Sequence, residues 1–322
     1  MTAVEAETLF GRMLDGDMSE AEIKALLIDM AARGETAAEI AGAVRAVRAR
    51  MAHVYAPIGA MDVAGTGGDG QHSLNISTTV AIVVAACGVP MAKCGNRAAS
   101  SLAGTADTLE ALGLNVSYAT ERAEASLADL GIGFIFAQRQ VPILARVAPI
   151  RQQISGKTIF NLIGPALNLA NVKRQLVGVP HPDIIPLYTA ALIEVGIERA
   201  MIVSGAEGLD EISISGPTHV ATIGLKMMID TVTPEMAALP THPLSAIKGG
   251  DAAHNARELR KLLAGASDQN LAYRDAVLLN SAGALIVAGE VDNWRDGVEE
   301  AREAIDKGLA STLLDCWIKF CE

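Results

Sequence analysis

The sequence has few aromatic residues and no excess of basic charge. Aromatic residues make up 3% of its 322 residues, so little surface exists on which the bases of a nucleic acid could stack. The formal net charge is -11. An acidic protein is not attracted to nucleic acid or to an anionic membrane in general, although a local basic pocket is compatible with it. We therefore expect neither of these partners.

Long hydrophobic runs and an export signal are missing as well. We find no apolar stretch of the roughly 18 to 20 residues that a membrane-spanning helix needs. The first residues, MTAVEAETLFGRML, lack the basic-then-apolar pattern of a secretory signal. The composition therefore predicts a cytoplasmic protein with no membrane partner.

Cysteine and histidine show no pattern typical of a metal or disulfide site. The four cysteines form no CxxC pair, so reduced thiols are expected rather than a zinc site or a disulfide framework. The six histidines form no HExxH pattern, which argues against a hydrolytic zinc centre. No serine lies in a GxSxG setting, so an acyl-transfer triad has no local support.

A glycine-rich loop is the most informative feature that is present. Residues 62–70 are DVAGTGGDG, and NIST follows at 75–78. Glycines leave room for a charged ligand and permit the φ > 0 conformations that direct successive N–H groups at one anion. Asp69 would repel phosphate unless a cation or ligand hydroxyls lie between them. The loop therefore predicts a sugar phosphate or a metal-bound phosphate.

The order of apolar runs and helical patterns predicts an α/β protein with a small helical domain. Capping boxes at Ser19–Glu22 and Thr36–Glu39 precede helical patterns within the first fifty residues. Further along, we expect buried strands at 61–64, 91–93, 134–137, 199–204 and 284–288, and helices at 77–87, 107–112 and 188–195. This alternation predicts a central, mostly parallel sheet flanked by helices. The glycine loop then lies between the first strand and a helix, where such sheets bind phosphates.

Three later segments carry further candidate chemistry. Residues 93–101, KCGNRAASS, offer cations, an amide and hydroxyls that suit either a second phosphate contact or a hydrogen-bonded turn. Arg151 lies among apolar residues, a setting that favours bidentate binding of a carboxylate, although a lone arginine is usually a surface cation. Asp210 and Glu211 follow an apolar run in a glycine-rich loop and are either a Mg²⁺ site or a common surface pair.

Together these motifs resemble the anthranilate phosphoribosyltransferase family over most of the chain. The motifs GTGGDG, NIST, KxGNRxxSS, GxADxLEALG, VAPIR, TIFNLIGP and GLDE occur here in the family's order. The resemblance implies a helical domain at 1–60 with about 165–195, and an α/β domain at 61–164 with 196–322 that binds phosphoribosyl pyrophosphate. It also implies a homodimer joined through the helical domains, and transfer of the phosphoribosyl group to anthranilate in tryptophan biosynthesis.

Site roles follow from the same resemblance, position by position. Phosphoribosyl pyrophosphate is expected to contact Gly65, Gly67, Gly68, Asp69, Asn75, Ser77, Thr78, Lys93 and Ser100. Anthranilate is expected to contact Gly65, Asn96 and Arg151, with Arg151 pairing to its carboxylate. Mg²⁺ is expected on Ser77, Asp210 and Glu211. No catalytic residue is assigned with certainty. Mg²⁺, Lys93 and loop N–H groups are expected to stabilise charge on the departing pyrophosphate, and no strong base is required.

Two departures from the family pattern lie on the acceptor side. Cys94 and Val141 stand where the family usually has histidines that border anthranilate. A thiol is a weak hydrogen-bond partner and valine is none, so contacts worth roughly 0.5 to 1.5 kcal/mol each are lost. The replacements are compatible with an unchanged function, a weaker acceptor site or a different aromatic acceptor. A nucleoside phosphorylase and a non-catalytic nucleic-acid-binding relative are further alternatives, the latter disfavoured by the retained phosphate and metal motifs.

Overall fold

Three helices open the chain and form a helical unit. The computed structural model describes residues 1–98, 102–137 and 141–322. It places α1 at Ala3–Asp15, α2 at Glu20–Arg33 and α3 at Ala37–Arg48. Both predicted capping boxes are confirmed, since Ser19 and Thr36 each accept from the N–H three residues on and the glutamate there bonds back. Helix α1 packs along α3 over a buried apolar core.

A seven-stranded sheet forms the centre of the rest of the molecule. Its strands are β1 (Met61–Gly65), β2 (Met91–Gly95), β3 (Ile132–Phe136), β4 (Arg174–Gly178), β5 (Arg199–Gly205), β6 (Thr218–Ile223) and β7 (Thr231–Val232). The spatial order is β3-β2-β1-β4-β5-β6-β7. Strands β1 to β5 pair in parallel, and β6 and β7 add antiparallel. The predicted mostly parallel α/β architecture is confirmed, and the carboxyl ends of β1 to β5 share one edge.

Helices connect and cover the strands. They are α4 (Ile76–Ala86), α5 (Thr105–Ala111), α6 (Val116–Glu121), α7 (Ala123–Leu130), α8 (Ala148–Gln152), α9 (Ile159–Leu167), α10 (Ile185–Glu194), α11 (Ala252–Leu263), α12 (Leu271–Ala288), α13 (Trp294–Asp306) and α14 (Leu309–Phe320). Short 3₁₀ turns occupy Pro142–Arg146, Pro182–Ile184, Pro234–Ala237 and Leu244–Ile247. Helices α4 and α12 pack against each other, and α12 also contacts β4 and β5.

The predicted strand at 284–288 is wrong, because these residues form the last turns of α12. Nearly every residue of α12 from Ala276 onwards is buried. A helix buried on all sides loses its polar face, so its sequence shows the same continuous apolar run as a buried strand. Three strands, β4, β6 and β7, were also missed, and β7 has only two residues. In β4 polar Arg174 and Gln175 precede a short apolar run, and β6 mixes polar and apolar residues.

Helix α12 also meets a length and composition test for crossing a membrane. It has 18 residues with a mean hydropathy of 1.3, but 83% of it is buried inside the protein. The central helix of a folded domain passes the same test, so this is weak evidence for a membrane span.

The predicted division into two domains stays a prediction. Helix α10 lies in the segment 165–195 that was assigned to the helical domain, and it packs against α3. Strand β4 lies in the same segment but pairs with β1 and β5 in the sheet. The segment 165–195 therefore contacts the helical unit through α10 and the sheet through β4.

Candidate active site

The glycine loop follows β1 at the carboxyl edge of the sheet. Gly67, Gly68 and Gly70 have φ of +73°, +75° and +71°. This left-handed region favours glycine, since a Cβ atom there strains the backbone. Gly67 and Gly68 are also exposed, so their main chain is accessible to a ligand. The loop has the conformation expected from its sequence.

Asp210 packs against the start of this loop. The N–H of Gly67 donates to Asp210 Oδ2 at 2.8 Å. A Cβ atom on Gly65 would lie 2.2 Å from that same oxygen, and one on Gly178 would lie 1.6 Å from the Asp210 carbonyl oxygen. The glycines that end β1 and β4 are therefore needed so that the loop after β5 can cross both strand ends.

Ser77, Glu211 and Lys93 meet beside the first turn of α4. The N–H of Ser77 donates to Glu211 Oε1 at 3.2 Å. Lys93 is only 2% exposed, and its ammonium group donates to the Val63 carbonyl at 2.6 Å and lies 3.5 Å from Ser77 Oγ. The structure thus brings together three residues that are far apart in the sequence and were predicted to share one site.

Two buried carboxyl groups at this edge, those of Asp210 and Glu211, have raised pKa values. Burial raises the pKa of Asp210, and the nearby Asp69 raises it further. Burial also raises the pKa of Glu211, and Asp210 adds to that effect while Lys93 opposes it. Close carboxylates with raised pKa values favour a bound cation, because a cation removes their repulsion and their desolvation cost. The donor set of two carboxylates and a hydroxyl fits Mg²⁺, which takes one or two carboxylates and keeps its other positions for water and phosphate oxygens.

Among the described residues, no group of three or more histidine, cysteine, aspartate and glutamate side chains is arranged to hold a metal ion. The expected Mg²⁺ site is of the open kind, in which substrate oxygens complete the coordination.

Further contacts hold the glycine loop from both sides. Asp69 Oδ1 accepts from the N–H of Gln71 at 3.2 Å, and the Gln71 side chain donates to the Glu207 carbonyl at 2.9 Å. On the other side, Lys157 donates to the Gly68 carbonyl at 3.1 Å. The loop is thereby linked to the segment that carries Asp210 and Glu211.

Asn75 and Thr78 lie at the start of α4. Asn75 occupies the N-cap position but makes no capping bond to the helix with its side chain. The Thr78 side chain is buried, and its hydroxyl lies 3.3 Å from Thr105 Oγ1. Their predicted contacts to the phosphoribosyl donor stay predictions, and Ser100, also predicted to contact the donor, lies outside the described residues.

The segment after β2 behaves partly as a structural turn. Arg97 pairs with Asp107 and Glu110 and lies 5.6 Å from the Phe136 ring centroid. This satisfied cation corresponds to the hydrogen-bonded turn that the sequence allowed as an alternative to a second phosphate contact. Asn96 is exposed, and its carbonyl accepts from the Ala106 N–H at 3.2 Å.

Cys94 lies next to the buried carboxyl group of Asp62. Its N–H donates to Asp62 Oδ2 at 3.3 Å, and the Asn168 side chain donates to the same oxygen at 2.7 Å. Burial raises the pKa of the Cys94 thiol, and Asp62 adds to the shift. Cys94 therefore stays a neutral thiol and cannot replace a histidine as a proton acceptor.

Arg151 is half-buried on α8. Its guanidinium lies 5.3 Å from the centroid of the Phe160 ring, and burial lowers its pKa. Within the described ranges, no carboxylate bonds to Arg151. Val141 is 2% exposed and belongs to the apolar core that also includes Ile150. Residues 138–140, just before Val141, lie outside the described residues.

Sequence reasoning missed several residues that shape this site. Gly178 was overlooked because β4 was overlooked, although a glycine directly after an apolar run is a recognisable strand end. Gln71 and Asn168 gave no local signal, since their partners are 136 and 106 residues away. Asn255 follows Gly249, Gly250 and the N-cap Asp251, a helix-start pattern that predicts α11 but not the contact of Asn255 with Asn75.

Comparison with known proteins identifies both parts of the molecule. The family described as "Glycosyl transferase family, a/b domain" matches residues 58–311, and "Glycosyl transferase family, helical bundle domain" matches residues 1–51. Together with the phosphate-type loop at the sheet edge, these matches define the protein as a glycosyltransferase.

Full-length relatives narrow this class. The chain is 55% identical over 319 residues to the anthranilate phosphoribosyltransferase of Novosphingobium aromaticivorans, covering 99% of this chain and 96% of that protein. It is 54% identical over 319 residues to that of Sphingopyxis alaskensis, covering 98% and 95%. The chain belongs to the anthranilate phosphoribosyltransferase family.

Solved structures agree. The anthranilate phosphoribosyltransferase of Thermus thermophilus superposes with a TM-score of 0.93 at 37% identity, covering 100% of this chain and 96% of that one. The Saccharomyces cerevisiae enzyme in complex with phosphoribosyl pyrophosphate and Mg superposes with a TM-score of 0.88 at 27% identity, covering 99% and 93%.

Proposed function

We propose that the protein transfers the 5-phosphoribosyl group from phosphoribosyl pyrophosphate to the amino group of anthranilate and releases pyrophosphate. The observation that carries this proposal is the junction of the glycine loop with the acidic loop, where Gly67 bonds Asp210 and Ser77 bonds Glu211. The junction holds two carboxylates, which favour a cation, beside the exposed glycines of the loop, which leave room for an anion. A magnesium-bound diphosphate is the ligand that satisfies both.

The donor would bind along the glycine loop and the first turn of α4. We assign its contacts to Gly65, Gly67, Gly68, Asp69, Asn75, Ser77, Thr78, Lys93 and Ser100. Ser77, Asp210 and Glu211 would hold Mg²⁺, which when bound neutralises charge on the leaving pyrophosphate. Asp69 would face the ribose hydroxyls or the metal-bound phosphates, because it would repel a bare phosphate.

The reaction would depend mainly on stabilising the negative charge of the departing pyrophosphate. The bond between the ribose anomeric carbon and the pyrophosphate oxygen breaks while the amine nitrogen of anthranilate attacks that carbon. Negative charge collects on the departing oxygen, and the buried Lys93 ammonium and the loop N–H groups stabilise it. The arylammonium group formed by the attack is acidic and loses its proton to water. No strong general base is needed.

Arg151 would bind the acceptor carboxylate. A half-buried guanidinium over an aromatic ring has lost part of its hydration, so pairing with an anionic ligand restores favourable interactions. This residue selects an aromatic amine that carries a carboxylate. Asn96 and the Gly65 backbone would position the acceptor beside the anomeric carbon.

The direct test uses purified protein with phosphoribosyl pyrophosphate, Mg²⁺ and anthranilate. We expect anthranilate fluorescence to fall in step with pyrophosphate release, EDTA to stop the reaction, and excess Mg²⁺ to restore it. Folded protein that gives no turnover under these conditions would overturn the proposal. Cleavage of a nucleoside by inorganic phosphate in the same preparation would favour the nucleoside phosphorylase alternative instead.

We also propose that the protein is a homodimer joined through the helical unit. Val4 on α1 and Ile28 on α2 are 68% and 46% exposed, so both offer apolar surface to a second copy of the chain. Light scattering should give twice the chain mass, and Ile28→Glu should shift it toward the monomer. A monomeric wild-type protein would contradict this assembly. The cytoplasmic location stays a prediction of the composition.

A further inference from the structure

Asn75 lies at the N-cap position of α4, but its side chain makes no capping hydrogen bond to the helix. Its side-chain Oδ1 instead accepts two hydrogen bonds, from Thr108 Oγ1 at 2.7 Å and from Asn255 Nδ2 at 2.8 Å. Thr108 lies on α5 and Asn255 on α11, 33 and 180 residues away. Two distant helices therefore converge on one amide oxygen at the edge of the donor site.

The contact between Gly250 and Asn255 determines which atoms donate and which accept in this hydrogen-bond network. Asn255 is 2% exposed, and its Oδ1 accepts from the main-chain N–H of Gly250 at 2.8 Å. A main-chain N–H can only donate, so the Asn255 atom facing it must be the oxygen. Its NH₂ group is then the atom left to face Asn75, and the Asn75 atom that meets it must be the oxygen. The Asn75 NH₂ group consequently points away from Asn255.

The main chain of Asn75 is held separately. Its carbonyl oxygen accepts from Thr79 Oγ1 at 3.0 Å and from the Tyr273 hydroxyl at 3.2 Å. A change at Thr108 or Asn255 therefore leaves the backbone position of Asn75 supported. Such a change alters mainly which end of the carboxamide faces the site.

We infer that Asn255 and Thr108 are positioning residues that hold the Asn75 carboxamide with its NH₂ group toward the donor phosphates. The inference rests on the proposed function, which makes Asn75 a donor contact. Phosphate oxygens only accept hydrogen bonds, so the NH₂ end stabilises the donor, while a flipped amide would present an oxygen that repels it. Both networked residues would act through Asn75 without touching the substrate.

Asn255→Asp is the sharpest variant because it keeps the shape and reverses the polarity. The new carboxylate still accepts from Gly250 but cannot donate to Asn75 Oδ1, so the Asn75 amide should turn its NH₂ group inward. We expect the KM for phosphoribosyl pyrophosphate to rise about 10- to 100-fold, as for loss of a hydrogen bond to a charged group. The KM for anthranilate should stay within about twofold, since the acceptor contacts are unchanged.

Thr108 supplies a second and milder pair of variants. Thr108→Val removes the hydroxyl donor at nearly constant volume, and we expect the donor KM to rise about two- to fivefold. Thr108→Ser keeps the hydroxyl and should restore the wild-type donor KM. Equal donor KM values for Val and Ser would overturn the inference even if Asn255→Asp failed to fold.

A double-mutant cycle with Asn75→Ala separates this inference from the proposed function. If the relay acts through Asn75, adding Asn255→Asp to Asn75→Ala leaves the donor KM unchanged. Additive effects would mean that the new charge acts directly, and would overturn the inference. An Asn75→Ala protein with an unchanged donor KM would instead remove Asn75 from the donor site, so that the proposed contact itself fails. A raised donor KM in Asn75→Ala, together with a wild-type donor KM in the single variant Asn255→Asp, would overturn the relay alone.

Discussion

The proposed donor side and the proposed acceptor side of the site are built in different ways. On the donor side, main-chain N–H groups of Gly67 and Ser77 bond the carboxylates Asp210 and Glu211, and Lys93 is buried beside them. On the proposed acceptor side, recognition would depend on individual side chains such as Arg151. A single substitution can remove a side-chain contact, whereas the main-chain contacts of the donor side depend on strand ends and loops together.

The two replaced histidine positions fit this contrast. Cys94 is a neutral thiol beside Asp62, and Val141 is buried in an apolar core. Neither change disturbs a hydrogen bond of the donor side. We therefore propose that the fold fixes the binding of the phosphoribosyl donor, and that acceptor affinity is the property most open to variation in this chain.

The largest effect is expected from Asp210→Asn on the donor side. An asparagine still accepts from the Gly67 N–H, but it removes one of the two carboxylates proposed to hold Mg²⁺. We expect kcat/KM to fall about 100- to 1,000-fold, as when a preorganised charge-stabilising group is lost. Asp315→Asn makes the same change in an exposed surface pair with Arg260 and should leave the rate unchanged. More than one-tenth of wild-type activity in Asp210→Asn would break the donor-side account.

The next effect tests the charge at Lys93. Lys93→Met keeps the length of the side chain and removes the ammonium group that is proposed to stabilise the leaving pyrophosphate. We expect single-turnover rates to fall about 100-fold with little change in the anthranilate KM. Lys226→Met, at an exposed lysine, is the matched control. An effect confined to anthranilate binding would contradict the donor-side role of Lys93 and assign it to the acceptor side.

Arg151→Ala tests the acceptor side. Loss of a charge-assisted pair should raise the anthranilate KM about 10- to 100-fold, and the KM for phosphoribosyl pyrophosphate should stay near its wild-type value. Arg151→Lys keeps the charge but not the bidentate geometry. Its anthranilate KM should lie between those of the wild-type protein and Arg151→Ala. If both KM values rose equally, the separation of the two sides would be wrong at this residue.

The smallest effect is expected from Cys94→His, which introduces the residue usual in the family. One regained hydrogen bond should lower the anthranilate KM about two- to tenfold and leave the donor KM unchanged. Titration of anthranilate at saturating donor measures this change. Cys94→Ser is the control, because it adds a small polar group without an imidazole. A higher acceptor KM in Cys94→His would show that this site has adapted to the thiol.

Local patterns were the part of the structure that the sequence could predict. The capping boxes at Ser19 and Thr36 involve contacts three residues apart, and the glycine loop requires φ values that few other residues adopt. The order of the strands in the sheet, however, depends on distant partners. The crossing of Asp210 over Gly65 and Gly178 joins three strand ends, and no window of sequence contains all three.

The errors have a common physical cause. The run at 284–288 is apolar because α12 is surrounded by other elements, and burial hides the period that distinguishes a helix from a strand. Strand β4 was missed for a related reason, since Gln175 is buried and bonds the Pro165 carbonyl, so a polar residue interrupts a core strand. In both places tertiary contacts, rather than local preference, decide the structure.

The most direct test of the contrast between the two sides is a series of acceptors with one donor. With phosphoribosyl pyrophosphate and Mg²⁺ held constant, kcat/KM is measured for anthranilate, for its 3- and 4-amino isomers and for aniline, which lacks the carboxylate. We predict that anthranilate exceeds each of the others by at least about 10-fold, because Arg151 and the attacking nitrogen require the adjacent carboxylate. Preference for another amine, with the donor still consumed, would contradict the assignment of anthranilate as the acceptor.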